Sequence, residues 1–152
     1  MTGPEPMQLT PDQCWERLST GRLGRVAFIR AAQVEILPVN YRSVDRTILF
    51  ETSSPVILDA VTAGTEMTFE ADDHDGWTAW SVVARGPTVI TTDDPPEDYE
   101  VRSLLPTPKT ARLRITPTTL TGRVFDTAPS HPAQASQPTV LEEDGKTPRR
   151  RR

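Results

Sequence analysis

The sequence has one cysteine, Cys14, so no intrachain disulfide can form and no cysteine-based zinc spacing exists. No uninterrupted apolar run is long enough to span a bilayer. The opening MTGPEPMQL lacks the basic and apolar regions of a secretion signal. These absences predict a cytoplasmic protein with no membrane partner. Basic excess is missing too: the formal net charge is −4, and no predicted strand carries the clustered basic surface that phosphate neutralisation needs. No nucleic-acid partner is expected, and the run Arg149–Arg152 reads as a solvated end.

Catalytic signatures are equally scarce. No glycine pattern marks a nucleophile elbow, and of the two histidines His131 lies in a polar tail. The other, His74, sits among Asp72, Asp73 and Asp75, which read as a solvated turn, so no metal site is expected. Gly21 and Gly24 form neither a dinucleotide nor a P-loop fingerprint. No side chain is assigned as a catalytic acid, base or nucleophile.

What is present fits one domain with a modest core: 152 residues, 36% of them hydrophobic. Residues 1–7 read as a flexible N-terminus and 8–126 as the domain. Residues 127–152, rich in Pro, Ser, Gln and charge without periodicity, read as a disordered tail. The fifteen prolines gather at the N-terminus, at turns and in the tail, where a missing N–H costs little.

Thr10-Pro11-Asp12-Gln13 predicts a helix start: a hydroxyl cap, proline at the first position, and a glutamine able to return a bond to the cap. The helix runs to about Thr20, with Cys14 and Leu18 on one buried face and Gly21 as its stop. Gly24–Ile29, Val34–Tyr41 and Thr47–Thr52 predict three strands, the last two joined by a turn over Ser43–Arg46. Pro38 cannot donate to a ladder, which places it at an edge, a bulge or a ligand-facing gap. Ser54 and Pro55 open a second helix that Gly64 ends.

Glu66–Asp72 alternates, with Met67, Phe69 and Ala71 on one face. A long strand from Trp77 to about Ile90 is expected to bend at Gly86-Pro87 and serve two parts of a curled sheet. A helix over Asp94–Leu105 and strands over Ala111–Thr116 and Leu120–Phe125 follow. The pattern is mainly β: a small antiparallel barrel with short helices outside.

Within that plan, the hydroxyls of Thr52, Ser53 and Ser54 sit where a strand meets a helix N-terminus, a spot suited to an anion. The strand Pro38–Tyr41 and the aromatic strand around Trp80 could flank a planar ligand. The ordered segments GRLGRVAF, ILPVNY, ILFETSSPVILDAV, MTFEADD, AWSVVARGPTVI and TGRVF resemble the pyridoxamine 5′-phosphate oxidase-like family with its FMN-binding split barrel, over about Cys14–Phe125.

That resemblance implies a split-barrel homodimer with flavin at the dimer interface. It implies that Pro38, Val39, Asn40 and Tyr41 lie along the ring, that Thr52, Ser53 and Ser54 take the phosphate, and that Trp80 and Ser81 lie close by, with Arg85 adding charge. The implied activity is an FMN-dependent oxidoreductase acting on a small molecule, with a nitroreductase-like role as its specific form. An F420-binding oxidoreductase and a non-catalytic cofactor-scavenging module are the alternatives. One departure motivates them: the family's glycine and basic residue after the threonine are here Pro55 and Ile57. A lost charge-assisted bond weakens phosphate binding by roughly 1.5–3 kcal/mol. Arg25, Arg42, Arg85 and Arg123 are the arginines available to replace it.

Overall fold

The computed structural model describes residues 5–92 and 111–126. In chain order the elements are β1 (Met7–Gln8), α1 (Pro11–Thr20), β2 (Leu23–Arg30), β3 (Gln33–Val44), β4 (Thr47–Thr52) and α2 (Pro55–Thr62). They continue with β5 (Met67–His74), β6 (Thr78–Gly86), β7 (Thr88–Ile90), β8 (Ala111–Ile115) and β9 (Thr119–Asp126). The expected helix over Asp94–Leu105 and the tail 127–152 lie outside the described residues. Sheet pairing starts at Met7, opposite Val124, one residue ahead of the domain boundary read from composition. Among the described residues, no helix is long and apolar enough to cross a membrane.

All strand pairs are antiparallel, in the order β1-β9-β6-β5-β2-β3-β4-β8-β7. The ring closes because β6 and β7 are one run of chain broken only at Pro87. β6 pairs with β5 and β9, whereas β7 pairs with β8. The predicted bend at Gly86-Pro87 is therefore where the strand passes from one half of the barrel to the other. A second change of partner occurs in β3: residues 33–40 pair with β2, and residues 41–44 pair with β4. Two such handovers make the fold a split β-barrel, mainly β, with short flanking helices.

Alternation fills the interior. Val26, Phe28, Val39, Tyr41, Ile48, Phe50, Met67, Phe69, Val82, Leu113 and Ile115 point inward and are buried. The α1 face carrying Cys14 and Leu18 is buried with them, as are Ile57, Ala60 and Val61 of α2. The cap of α1 forms as its sequence predicts: Gln13 N–H donates to Thr10 Oγ1 at 3.3 Å, and Thr10 N–H donates to Gln13 Oε1 at 2.9 Å. Gly21 ends the helix in an extended conformation. It has to be small because a Cβ there would lie 2.2 Å from the Tyr41 hydroxyl. That hydroxyl donates to the Leu18 carbonyl at 3.0 Å, and the Tyr41 ring meets Phe69 edge-on at 4.8 Å. Gly122 makes the same kind of room, since a Cβ on it would lie 2.6 Å from Cys14 Sγ.

The bend is tightly built. A Cβ on Gly86 would lie 2.2 Å from the Thr116 carbonyl oxygen and 2.9 Å from Pro117 Cα, both backbone atoms that cannot swing away. Thr118 N–H and Oγ1–H donate to the Arg85 carbonyl at 2.8 and 3.1 Å, and Thr116 N–H donates to the Pro87 carbonyl at 3.1 Å. Just beyond, the buried Thr88 Oγ1 has no hydrogen-bond partner among the described residues. Gly86→Ala should cost about 1–3 kcal/mol through overpacking against backbone. Thr88→Val should add about 1 kcal/mol by removing the unpaired hydroxyl. Urea denaturation of the two variants reads both, and opposite shifts from neighbouring positions are the expected outcome.

Candidate functional site

The site begins with the handover in β3. Among the described residues, 33–40 pair only with β2 and no strand lines their other edge; Pro38, which lacks an N–H, stands in this stretch opposite Arg25. Alternation sends Val34, Ile36, Pro38 and Asn40 outward. Val39 and Tyr41 point inward and are buried. On β2 the outward row is Leu23, Arg25, Ala27 and Ile29. Exposure of 67% at Ile29, 67% at Val34 and 63% at Ile36 shows that no described element covers this apolar face.

The second part is the junction of β4 with α2. Thr52 is buried, and its Oγ1 accepts a bond from Ser54 N–H at 3.0 Å. Ser53 and Ser54 are half-buried. Ser54 occupies the cap position, yet its side chain makes no cap bond, so the first-turn N–H groups of Val56 and Ile57 lack that partner. No basic residue stands anywhere in Thr52–Thr62. Ile57, at the position where a cation would be expected, is 1% exposed and belongs to the core.

The remaining sequence-predicted residues lie on β6. Trp80 is buried under the inner face, so its indole packs the core. Ser81 and Arg85 point outward, opposite Asp72 and Thr68. The structure thus gathers Pro38, Asn40, Ser81 and Arg85 on one outer sheet face. Val39, Tyr41, Thr52 and Trp80 lie on the inner side, where any ligand would meet their backbone rather than their side chains. Of the candidate arginines, Arg42 lies on β3 just past the handover, opposite Leu49. Arg123 is exposed on β9, opposite Ser81.

Arg25 is committed elsewhere. Its guanidinium donates to Glu70 Oε2 at 2.5 Å and to Asp72 Oδ2 at 3.0 Å, a cluster that sequence reading missed. Alternation in MTFEADD already puts Glu70 and Asp72 on one face, but only the β2–β5 register brings Arg25 to them. Partial burial, then the hydrogen bond with Asp72, pushes the Glu70 carboxyl up to about 7 despite the nearby guanidinium. Its bond to Glu70 holds the Asp72 carboxyl below its ordinary value. The two shifts are opposite, so of the pair Glu70 is the carboxyl that holds a proton more readily. By contrast, Asp75 serves its own turn, accepting from Trp77 and Thr78 N–H at 2.9 and 2.7 Å.

A sequence profile of the pyridoxamine 5′-phosphate oxidase family matches residues 10–124, which span the barrel, both helices and every site residue above. The chain belongs to this family. Among curated proteins, those similar to it include the uncharacterized protein Rv3129 of Mycobacterium tuberculosis, 36% identical over 55% of this chain and 80% of that protein. Among solved structures, a FAD binding protein from Mycobacterium smegmatis is 32% identical, with a TM-score of 0.63 over 80% of this chain and 99% of that one. A Corynebacterium glutamicum structure is 30% identical, with a TM-score of 0.68 over 81% and 100%.

The Glu70 shift has a measurable sign. Its folded value lies above the ordinary 4.5, so the stability it contributes is complete below that value and is lost as pH rises through about 7. Asp72 acts oppositely, losing its contribution only as the solution becomes acidic. Melting temperature should therefore fall between about pH 5 and 8. Glu70→Gln should flatten that slope, and an identical slope in the variant would disprove the assignment.

Proposed function

We propose that this family member is a flavin-dependent oxidoreductase acting on a small acceptor. In this reading the flavin lies along the open edge of β3, with its phosphate end at the start of α2. The carrying observation is that the unpaired strand edge and the uncapped, hydroxyl-lined helix start are adjoining products of one handover. When bound, the flavin supplies the hydride or electron transfer. Asn40 and the backbone of Val39 and Tyr41 orient its ring, and Ser53, Ser54 and the first-turn N–H groups of α2 hold the anion.

The donor set bears on which flavin. A terminal phosphate monoester, as in FMN, carries about −1.5 to −2 charge and calls for a cation. The bridging phosphates of FAD carry less charge each and suit neutral donors. With Ile57 in the core and no basic residue in α2, the chain favours FAD over FMN. A cradle without a cation also favours one competing reading, a non-catalytic module that holds cofactor loosely.

The site as described has one wall. Leu23, Ile29, Val34, Ile36 and Pro38 are exposed beside the ring's proposed place, and a second copy of the chain is the occupant that encloses both. Homodimers built this way satisfy an exposed apolar face and an unfinished site with one contact.

The purified protein should absorb in the visible, and titrations of FAD, FMN and F420 followed by fluorescence should give a micromolar or tighter constant for FAD. FMN should bind about tenfold more weakly. Asn40→Ala and Ser54→Ala should each weaken FAD binding by about fivefold, roughly 1 kcal/mol, whereas Cys14→Ala leaves it unchanged. Binding of F420 alone would redirect the assignment to a deazaflavin enzyme. Failure of all three ligands would end the redox reading.

A further inference from the structure

We infer that self-association through the outer face of β2, β3 and β5 takes up a proton, and that the Arg25–Glu70–Asp72 cluster on that face is the group that receives it. The inference rests on the second-copy reading given above and asks what closing that face does to the charges on it.

The register fixes where the cluster lies. One row across the outer face runs Pro38, Arg25, Glu70, Val83 and Thr121, and Asp72 sits two residues along β5 from Glu70, opposite Ser81. Leu23 and Ala27 flank Arg25 on β2, and the apolar patch of Ile29, Val34 and Ile36 lies beyond. The cluster is thus bordered by exposed apolar side chains on the β2–β3 side and by Val83 on the other. A partner that covers the patch covers the cluster with it.

Charge then decides the outcome. Arg25 offers one positive charge to two carboxylates, and one guanidinium nitrogen bonds both. Fully ionised, the cluster carries a net negative charge. Water supports that state now, because the Arg25, Glu70 and Asp72 side chains are 44%, 30% and 49% exposed. Among the described residues, the other charged or titratable groups on this face are Arg85 on β6, opposite Thr68, Arg123 on β9, opposite Ser81, and His74, two residues past Asp72, which helps hold the Asp72 carboxyl low. Among the described residues none of these three is in an ion pair with Glu70 or Asp72.

Covering the face removes water from two carboxylates whose one ion-pair partner among the described residues is Arg25. An ionised carboxyl without a partner in a dehydrated contact is far costlier than a protonated one, which can still donate to its neighbour. Protonating Glu70 leaves Arg25 and Asp72 as a neutral pair with the Glu70 hydroxyl directed at Asp72. Partial burial already drives Glu70 this way in the single chain. Each copy therefore brings one proton into the closed contact, and association weakens as the solution becomes too alkaline to supply it.

Sedimentation velocity on the full chain, with whatever cofactor it retains, at about pH 6, 7, 8 and 9 and fixed ionic strength tests this. The dissociation constant of the wild type should rise by at least about tenfold from about pH 6 to about pH 9, and that of Glu70→Gln should stay within about twofold. For a dimer that survives dilution, the concentration-dependent urea midpoint reads the same linkage. Circular dichroism at each pH confirms that the fold persists. A wild-type dimer with a flat pH profile, as when the partner copy supplies an arginine, overturns the proton linkage and leaves self-association standing. A monomer at every pH and concentration removes the second-copy reading, and the linkage falls with it.

Discussion

Everything in this fold depends on a strand being able to change neighbours without breaking. β3 gives up β2 for β4 between Asn40 and Tyr41, and the run from Thr78 to Ile90 gives up β5 and β9 for β8 at Gly86-Pro87. Each handover has its own steric device. At Gly86 the absence of a Cβ lets the Thr116 and Pro117 backbone come close. At Tyr41 a long aromatic side chain reaches inward to the end of α1, and Gly21 leaves it the space. Closing the ring through one handover and opening a strand edge through the other are two results of the same economy in a short chain.

The candidate site follows from the second handover. Where β3 leaves β2 for β4, its earlier half has an edge that no other described strand pairs with, and β4 ends a few residues later in the hydroxyls that lead into α2. The features are weak singly. Hydroxyls before a helix are ordinary caps, and an open edge is an ordinary sheet border. Their adjacency is set by topology, and together with the family assignment it supports a cofactor at this place.

The sequence was readable wherever local chemistry decides the outcome. The α1 cap, the extent of β4, the inward set of β5 and the bend at Gly86-Pro87 follow from residue types and alternation over a few positions. Trp77 and Trp80 show the limit. They are three residues apart on one predicted strand, yet Trp77 falls in a turn and is 72% exposed, whereas Trp80 is 6% exposed. Alternation already puts residues three apart on opposite faces, and only the sheet pairing, which turns Trp80 inward with Val82 and Ala84, decides which indole is covered. The Arg25 cluster was hidden for a deeper reason: residues 45 and 47 positions apart meet only through a pairing that no local pattern encodes. Ile57 likewise looks like a lost cation in sequence, and only the packing of α2 shows that it fills the core.

One small contact has a consequence for the chemical life of the molecule. Cys14 is fully enclosed, seated where Gly122 leaves room for its sulfur, and loss of hydration raises its thiol above the ordinary value. The thiol stays protonated and out of reach, so it offers peroxide no nucleophile. The chain has no other cysteine. Oxidative stress therefore finds no accessible sulfhydryl in this chain, and the exposed thioether of Met7 is the softer target.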